Sequence, residues 1–508
     1  KIPIFAVFSK TKYDTTMVIL IKVLQFILAL SLLIFVHELG HFAAAKIFKT
    51  RVEKFYLFFD WGFSLVRCKR VNGKLRWRFF AKNVPDKYEV VEKTNADGKK
   101  EKEYIPIDLS TLPEDDWRRS DETEYGIGWF PLGGYNKIAG MIDESMDKEQ
   151  MKQPPQAWEF RSKPAWQRFI IMFGGVFMNV VLAIFVYIGI LASNGEQYLP
   201  TSEVNDKGGI YADSLAQAFG LQDGDKILNV NGKEVADFYR IMETVVFEKA
   251  EYIEVERQGQ RVKVELPDEA ISMLLAQTEN RFINVRVPFI VDSILVNSPA
   301  YASGFKKGDQ ILGIDSITTL YFQDYVREKN AFKDQDVTIV VKRNDEILNI
   351  PTHLNEEGNL GVFSALPSNY FEFKTVDYSL LEAIPAGTKK TFTEISDYWK
   401  QLKLIFQPET KAYESVGGFI SIGKIFPESF QWLVFWRLTA FLSIALAVMN
   451  ILPIPALDGG HILFLIVEMI TRRKPSDKFM EIAETIGLFL VLALLIFANG
   501  NDIIKLFR

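Results

Sequence analysis

The stretch VILIKVLQFILALSLLIFVHELGH at residues 18–41 decides the class of this fold. From Val18 to Val36 it is almost wholly apolar, with one lysine. As a helix rising about 1.5 Å per residue, it is long enough to cross about 30 Å of hydrocarbon. Its end carries His37-Glu38-Leu39-Gly40-His41 and continues helically through Ala43, Ala44 and Ala45. Side chains four apart share a helix face, so the two imidazoles can converge on one ion. Glu38 then points to the adjacent rim, where a metal's water would sit. The bland alternative is a chance match with two satisfied core histidines. It fares badly here, because an ionisable group inside a span costs about 2.5–3.5 kcal/mol, and a glutamate between two histidines at that depth asks for a function.

Three further runs share the apolar character. Phe169–Ala192 has no charge, Leu433–Ile451 has only Arg437, and a shorter, marginal run covers residues 482–498. In a chain of 508 residues such runs exclude a single soluble core. The formal net charge of −5 argues against nucleic acid. The placement of the cations says more than their number. Lys46, Lys49, Arg51, Lys54, Arg67, Lys69 and Arg70 follow the first run, Arg161, Lys163 and Arg168 precede the second, and Arg472, Arg473, Lys474 and Lys478 separate the last two. Basic loops mark the cytoplasmic side. Both termini and the segment 194–430 then lie outside, in the periplasm if the cell is a bacterium that places this chain in its inner membrane. The single cysteine, Cys68, leaves no intrachain disulfide, so outer domains must hold by packing. The first run ends in a charged, histidine-bearing helix instead of a small-residue cleavage site, which reads as a retained span and not a signal peptide.

Between the first two spans the chain opens aromatic (Phe55, Tyr56, Phe58, Phe59, Trp61, Phe63) and then turns charged. Tyr88-Glu89-Val90-Val91 and Glu103-Tyr104-Ile105 flank Asn95-Ala96-Asp97-Gly98, which predicts a hairpin in a solvated insertion. The outer segment contains an internal repeat. Asp213-Ser-Leu-Ala216, Gly220-Leu221 and Gly224-Asp225-Lys-Ile227-Leu228 recur at constant offset as Asn297-Ser-Pro-Ala300, Gly304-Phe305 and Gly308-Asp309-Gln-Ile311-Leu312. Each copy predicts a short helix, a Gly-Asp turn and an apolar strand, followed in the first copy by an Asn231-Gly232 hairpin turn. The pair resembles tandem PDZ domains over residues 199–366. That resemblance implies capture of an extended peptide as an added strand. Two small domains that merely occlude the membrane site fit the sequence equally well. Tyr378–Phe406 is helical and amphipathic, suited to the outer membrane surface or to a packed connector.

A catalytic zinc site needs three protein ligands and one open position. The candidate for the third is Asp458, in Asn450-Ile-Leu-Pro453-Ile-Pro455-Ala-Leu-Asp458-Gly459-Gly460, where prolines and glycines break a helix. Broken backbone at membrane depth is tolerated only when buried in protein or lining a wet cavity. The first and third spans run in the same direction, which brings His41 and Asp458 to the same end. Without the His-Glu motif Asp458 would read as a helix N-cap. His461 is a rival ligand better placed as support for the site, and His353 sits in the outer repeat, out of reach.

In this order, HExxH on the first span, a tandem PDZ insertion and NxxPxPxLDGG resemble the site-2 protease family of intramembrane zinc metalloproteases, in its bacterial RseP-like branch. Trp129-Phe130-Pro131-Leu132-Gly133-Gly134-Tyr135 resembles that family's membrane-re-entrant β hairpin. Ser415-Val416-Gly417-Gly418-Phe419 resembles its loop before the third span, as a gate or a plain linker. The resemblance implies that His37, His41 and Asp458 hold Zn2+, that Glu38 is the general base, and that Asn450 hydrogen-bonds the substrate backbone. It also implies that the Gly133-Gly134-Tyr135 edge takes the substrate as an added strand; otherwise these glycines form an ordinary turn. A transmembrane helix hides its amides, and the groups freed by unwinding need such partners. The charged insertion around residues 88–107 is longer than the family pattern.

The implied fold is a multidomain membrane protein, an α-helical core of four spans with a membrane-re-entrant β hairpin, plus two PDZ-like α+β domains outside. The boundaries expected are a tail at 1–16, the first span at 17–48, a cytoplasmic loop with the β region at 49–160 and the second span at 161–193. The two PDZ domains follow at 194–280 and 281–368, then a connector at 369–429, the third span at 430–471 and the fourth with its tail at 472–508. The implied activity is hydrolysis of peptide bonds within single-pass membrane proteins, such as an anti-sigma factor already trimmed by a site-1 protease, or remnant signal peptides. The PDZ pair would exclude untrimmed substrates. Two other classes compete. A metal-ion transporter also uses intramembrane His, Glu and Asp, but the spans show no inverted repeat. An idle PDZ scaffold at the membrane is opposed by the intact Glu38.

Overall fold

The computed structural model describes residues 15–82, 88–94, 100–114, 116–141, 154–276 and 282–507. Residues 1–14 of the expected tail and the turn expected at 95–98 lie outside the described residues. Among the described residues four helices are long and apolar enough to cross a membrane, and the chain is a multi-pass membrane protein. Numbering only the long helices, these are α1 (Thr15–Ile47), α2 (Ala165–Asn194), α4 (Trp432–Ile451) and α6 (Asp477–Phe507), with α3 (Leu380–Ile405) and α5 (Asp458–Thr471) beside them. In such apolar segments a helix is the economical form, because it satisfies its own backbone polar groups. The fourth run, expected to be short and marginal, is instead a 31-residue helix whose apolar centre is more hydropathic than that of α4.

The chain divides into two compact units, one of residues 13–193, 379–399 and 417–508, the other chiefly of 194–378 and 400–416. In the first unit α1 and α2 cross through glycines. A Cβ on Gly40 would strike the Gly174 carbonyl, and one on Gly174 would strike Gly40. Strands β1 (Val52–Val71), β2 (Lys74–Lys82) and β5 (Glu124–Ile138) form a sheet in the order β2-β1-β5. The predicted hairpin is present, with β3 (Tyr88–Thr94) antiparallel to β4 (Lys100–Pro106). Gly133 and Gly134 lie within β5, paired with β1 at Leu57↔Gly134 and Tyr56↔Tyr135, and so are strand and not turn residues. Both allow close approach, for a Cβ would strike the Phe59 ring at Gly133 and Ile34 of α1 at Gly134.

Helix α4 stops at Ile451 because Pro453 cannot donate a backbone hydrogen bond and disfavours helix in the residue before it. The break ends through Ala456, whose φ is 72°, a region rarely adopted by residues other than glycine. Gly459 and Gly460 pack against the carbonyls of Leu452 and Ile454, and Gly487 of α6 packs against that of Pro455. Asp458 is the first residue of α5, whose N-cap is Leu457, so its carboxylate does not serve as the cap.

In the second unit each of the two similar segments runs from a capped short helix to a strand. Asp213 caps the helix Ser214–Ala218 by accepting from Leu215 and Ala216 N–H, and Ser298 caps Pro299–Ala302 by accepting from Tyr301 N–H. Each Gly-Asp turn leads into a strand, Lys226–Val230 and Gln310–Ile314. The Asn231-Gly232 turn has both residues at positive φ, but it joins only the single bridge Val230↔Lys233 and no full hairpin.

An arginine in each copy closes the same lock. Arg257 donates to both Asp225 oxygens at 2.8 and 2.7 Å and to Gly220 O at 2.8 Å. Arg343 donates to both Asp309 oxygens at 2.7 Å and to Gly304 O at 3.1 Å. Both aspartates are 1% exposed. Removing one partner of a buried pair strands the other, so Asp309→Ala should destabilise its copy by about 3 kcal/mol. Hydrogen-exchange protection of Gln310–Ile314 and Asp336–Arg343 in the intact chain reads this. A loss under about 1 kcal/mol, the range of exposed pairs, would refute it.

The same pair sets an acid dependence. Burial opposes ionisation of Asp309, but the Arg343 guanidinium and the Lys306 N–H outweigh it and hold the carboxyl below its ordinary value of 3.8. This stabilisation is complete above that value and is lost as pH falls through the depressed one. Protection of the second copy should therefore drop in that acid window for the wild type and stay flat for Asp309→Asn.

Candidate metal centre

Helix α1 presents His37 and His41 on one face, 8% and 6% exposed. Their Nε2 atoms are 3.2 Å apart. Asp458, at the start of α5, places Oδ2 3.1 Å from His37 Nε2 and 3.4 Å from His41 Nε2. The structure thus brings the three expected residues together across more than 400 positions of chain, and among the described residues they are the one cluster with metal-ligand geometry.

The arrangement suits zinc on its own terms. Asp458 Oδ2 is buried and makes no hydrogen bond, although two imidazole nitrogens lie beside it. His41 Nδ1 lies 2.9 Å from the Ile171 carbonyl of α2, an acceptor, so that nitrogen carries the proton and Nε2 keeps its lone pair. Lone pairs facing a carboxylate oxygen repel one another unless a cation sits among them. Two imidazole nitrogens and one carboxylate oxygen are a donor set of the catalytic zinc type.

Helix α2 comes this close only because residue 175 is glycine. A Cβ there would strike His41 Nε2 and the His37 ring. Two asparagines complete the surroundings of His37. Asn179 of α2, fully buried, has its amide 3.1 Å from Nδ1, and Asn450 of α4 has Nδ2 3.3 Å from Nε2. Ser443 of α4 donates to the Asn179 carbonyl at 2.8 Å. The sequence reading missed Gly175 and Asn179. The available signal was an amide in a run otherwise free of strongly polar side chains, with a glycine one turn before it.

Glu38 occupies the same turn of α1, half-buried. The expected substrate edge lies beside that helix. The Asn136 amide, turned to donate to Lys54 O at 3.2 Å and accept from Phe42 N–H at 3.0 Å, ties β5 to α1 next to the histidine turn. Tyr135 uses its side chain structurally. Its hydroxyl donates to Asp60 at 3.0 Å and its ring stacks on Tyr56 and Phe59 with centroids 5.2 and 6.2 Å away. Its side chain is therefore engaged within the protein. His461 pairs with Glu484 at 2.9 Å and His353 with Asp336 and Asp334 at 3.0 and 3.2 Å, so neither joins the cluster. From Gly417 onward the loop before α4 is tied to α6, where Asn499 accepts from Phe419 N–H at 3.2 Å and Asp502 from Ser421 N–H at 2.9 Å.

The chain is similar along nearly its whole length to curated proteins of several bacteria. It is 26% identical to the regulator of sigma E protease of Haemophilus influenzae, over 95% of this chain and 98% of that one. Two proteins whose names carry the term zinc metalloprotease are comparably similar. That of Pasteurella multocida is 26% identical over 95% of this chain and 98% of its own, and that of Ralstonia nicotianae 24% identical over 96% and 99%. The family model of Peptidase family M50 matches residues 25–81 and 116–494, which include every residue of the cluster. The chain therefore belongs to peptidase family M50, the site-2 type of zinc metalloprotease.

Proposed function

We propose that this protease cleaves peptide bonds within transmembrane segments of single-pass membrane proteins, with His37, His41 and Asp458 as the zinc ligands. The observation that carries the reading is the meeting of these three side chains among helices apolar enough to span a membrane. Bound there, zinc supplies Lewis acidity to the attacking water and to the scissile carbonyl. Glu38, on the rim of the same turn, takes the proton from that water and passes it to the leaving amine. Asn450 hydrogen-bonds the substrate backbone near the reacting carbonyl. The outer part of β5, Gly133 to Tyr135, holds the unwound substrate as an added strand from a β hairpin that re-enters the membrane, satisfying amides that water cannot reach.

The Haemophilus relative is named for regulating sigma E. By that likeness the substrate class includes an anti-sigma factor already cut on its outer side by a site-1 protease, and remnant signal peptides belong to the same chemical class. The chain sits in the inner membrane with the two repeat copies, of the PDZ type, in the periplasm. There they bind peptide or exclude untrimmed chains. In detergent micelles the protein should cut a single-pass model peptide inside its apolar segment, lose that activity on chelation and regain it with added zinc. Fragment masses locate the cut. Cleavage confined to the peptide's polar flanks would defeat the intramembrane reading.

A further inference from the structure

The proton on His37 is not settled by its neighbours as they stand. Its Nε2 lies 3.3 Å from Asn450 Nδ2 and its Nδ1 3.1 Å from Asn179 Nδ2, and both amide nitrogens are donors. A neutral imidazole has one N–H and one lone pair, so it cannot accept at both nitrogens. One amide must be turned, a choice fixed by the hydrogen-bond network because amide nitrogen and oxygen have nearly the same shape. Asn179 is the one that gains. It is fully buried and its Oδ1 has no hydrogen-bond partner, whereas Asn450 is half-buried and leaves no buried oxygen orphaned. Burying an acceptor without a partner is unfavourable, and turning the amide puts that oxygen against His37 Nδ1.

The turned amide gives both histidines the same support. His41 Nδ1 meets a main-chain carbonyl of α2, Ile171 O, at 2.9 Å. At the level of His37, two turns further along α2, the main-chain carbonyl of Asn179 already accepts from Ser443 of α4. A side-chain oxygen supplies the acceptor instead, and the Ser443 bond pins the backbone that carries it.

We propose that Asn179 is a positioning residue that accepts a hydrogen bond from His37 Nδ1–H, fixing the tautomer that aims the Nε2 lone pair at the metal position. The proposal rests on the reading of His37, His41 and Asp458 as the zinc site. Partners of this kind are worth about 10- to 100-fold in metal affinity.

Zinc affinity of the intact, purified protein, measured by competition with a chromophoric chelator, tests it with three variants. Asn179→Leu, similar in volume and without an acceptor, should bind zinc about 10- to 100-fold more weakly. Asn179→Asp, which can only accept when ionised, should stay near the wild type. A purely structural role would instead penalise both, and wild-type affinity in Asn179→Leu, or equal losses in the two, overturns the proposal. Asp458→Ala should lose tight zinc binding, and wild-type affinity there would show that the ligand assignment itself is wrong. A second reading leaves Asn179 and both site histidines in place. The chain has four histidines, and with His353→Gln and His461→Gln only the two site histidines remain in a 15N spectrum of zinc-loaded, histidine-labelled protein. Both should carry the proton on Nδ1. One site histidine protonated on Nε2 overturns the proposal.

Discussion

Glu38→Gln is expected to lower the turnover of a transmembrane model peptide by about 10²- to 10⁴-fold, the usual contribution of a general base, while zinc stays bound. Glutamine keeps the size and the donor-acceptor shape of the side chain but cannot take a proton from water at neutral pH. The ligands proposed for the metal are His37, His41 and Asp458, which the substitution leaves in place. Single-turnover rates on purified protein, read with metal content on the same samples, separate the two effects. A rate within tenfold of the wild type would remove Glu38 from the role of base. Loss of zinc with the rate would make it a ligand or a structural support.

The second large effect is expected at a residue that has no side chain. Gly175→Val should lower zinc affinity by about 100-fold and abolish cleavage. A branched side chain at 175 would occupy the space of His41 Nε2 and the His37 ring. Close packing offers no slack, because Gly40 and Gly174, the residues just before His41 and Gly175, already hold α1 and α2 in contact. Overpacking costs about 1–3 kcal/mol, and each 1.4 kcal/mol is tenfold in affinity, so the imidazoles must leave their converged positions or the helices must part. Gly189→Val on the same helix is the control, since a Cβ there meets nothing within 4 Å. It should bind zinc and cleave as the wild type does. Equal behaviour of the two variants would show that the Gly175 contact does not govern the site.

The two parts of the proposed metal centre differ in how they could be read. His37 and His41 are legible because a single helix fixes their spacing. Asp458 is legible only as a candidate, because its chain neighbours also suit an N-cap, and that alternative fell when Leu457 proved to be the cap and the carboxylate turned to the imidazoles. The repeat showed in its Gly-Asp turns, yet the arginines that lock them, Arg257 and Arg343, gave no signal, since each belongs to a strand that pairs far from the turn in sequence. Tyr135 stood out as part of an aromatic-glycine cluster. Its hydroxyl and ring are engaged by Asp60, Tyr56 and Phe59, a fact set by the bending of β1 and β5 around each other.

By itself the sequence determined what local periodicity and solvent preference can determine: four apolar helices, two histidines on one helix face, a break at the Pro-Pro-Gly-Gly segment and a repeated turn. Tertiary structure decided which groups meet. The bare backbone at Gly175, the orphaned amide oxygen of Asn179 and the position of Asp458 Oδ2 all depend on how closely α1, α2 and the break after α4 approach one another. The physical reason is that helix formation and burial are set by neighbours along the chain. Distances of about 3 Å between groups hundreds of residues apart are set by packing, which a linear pattern does not encode.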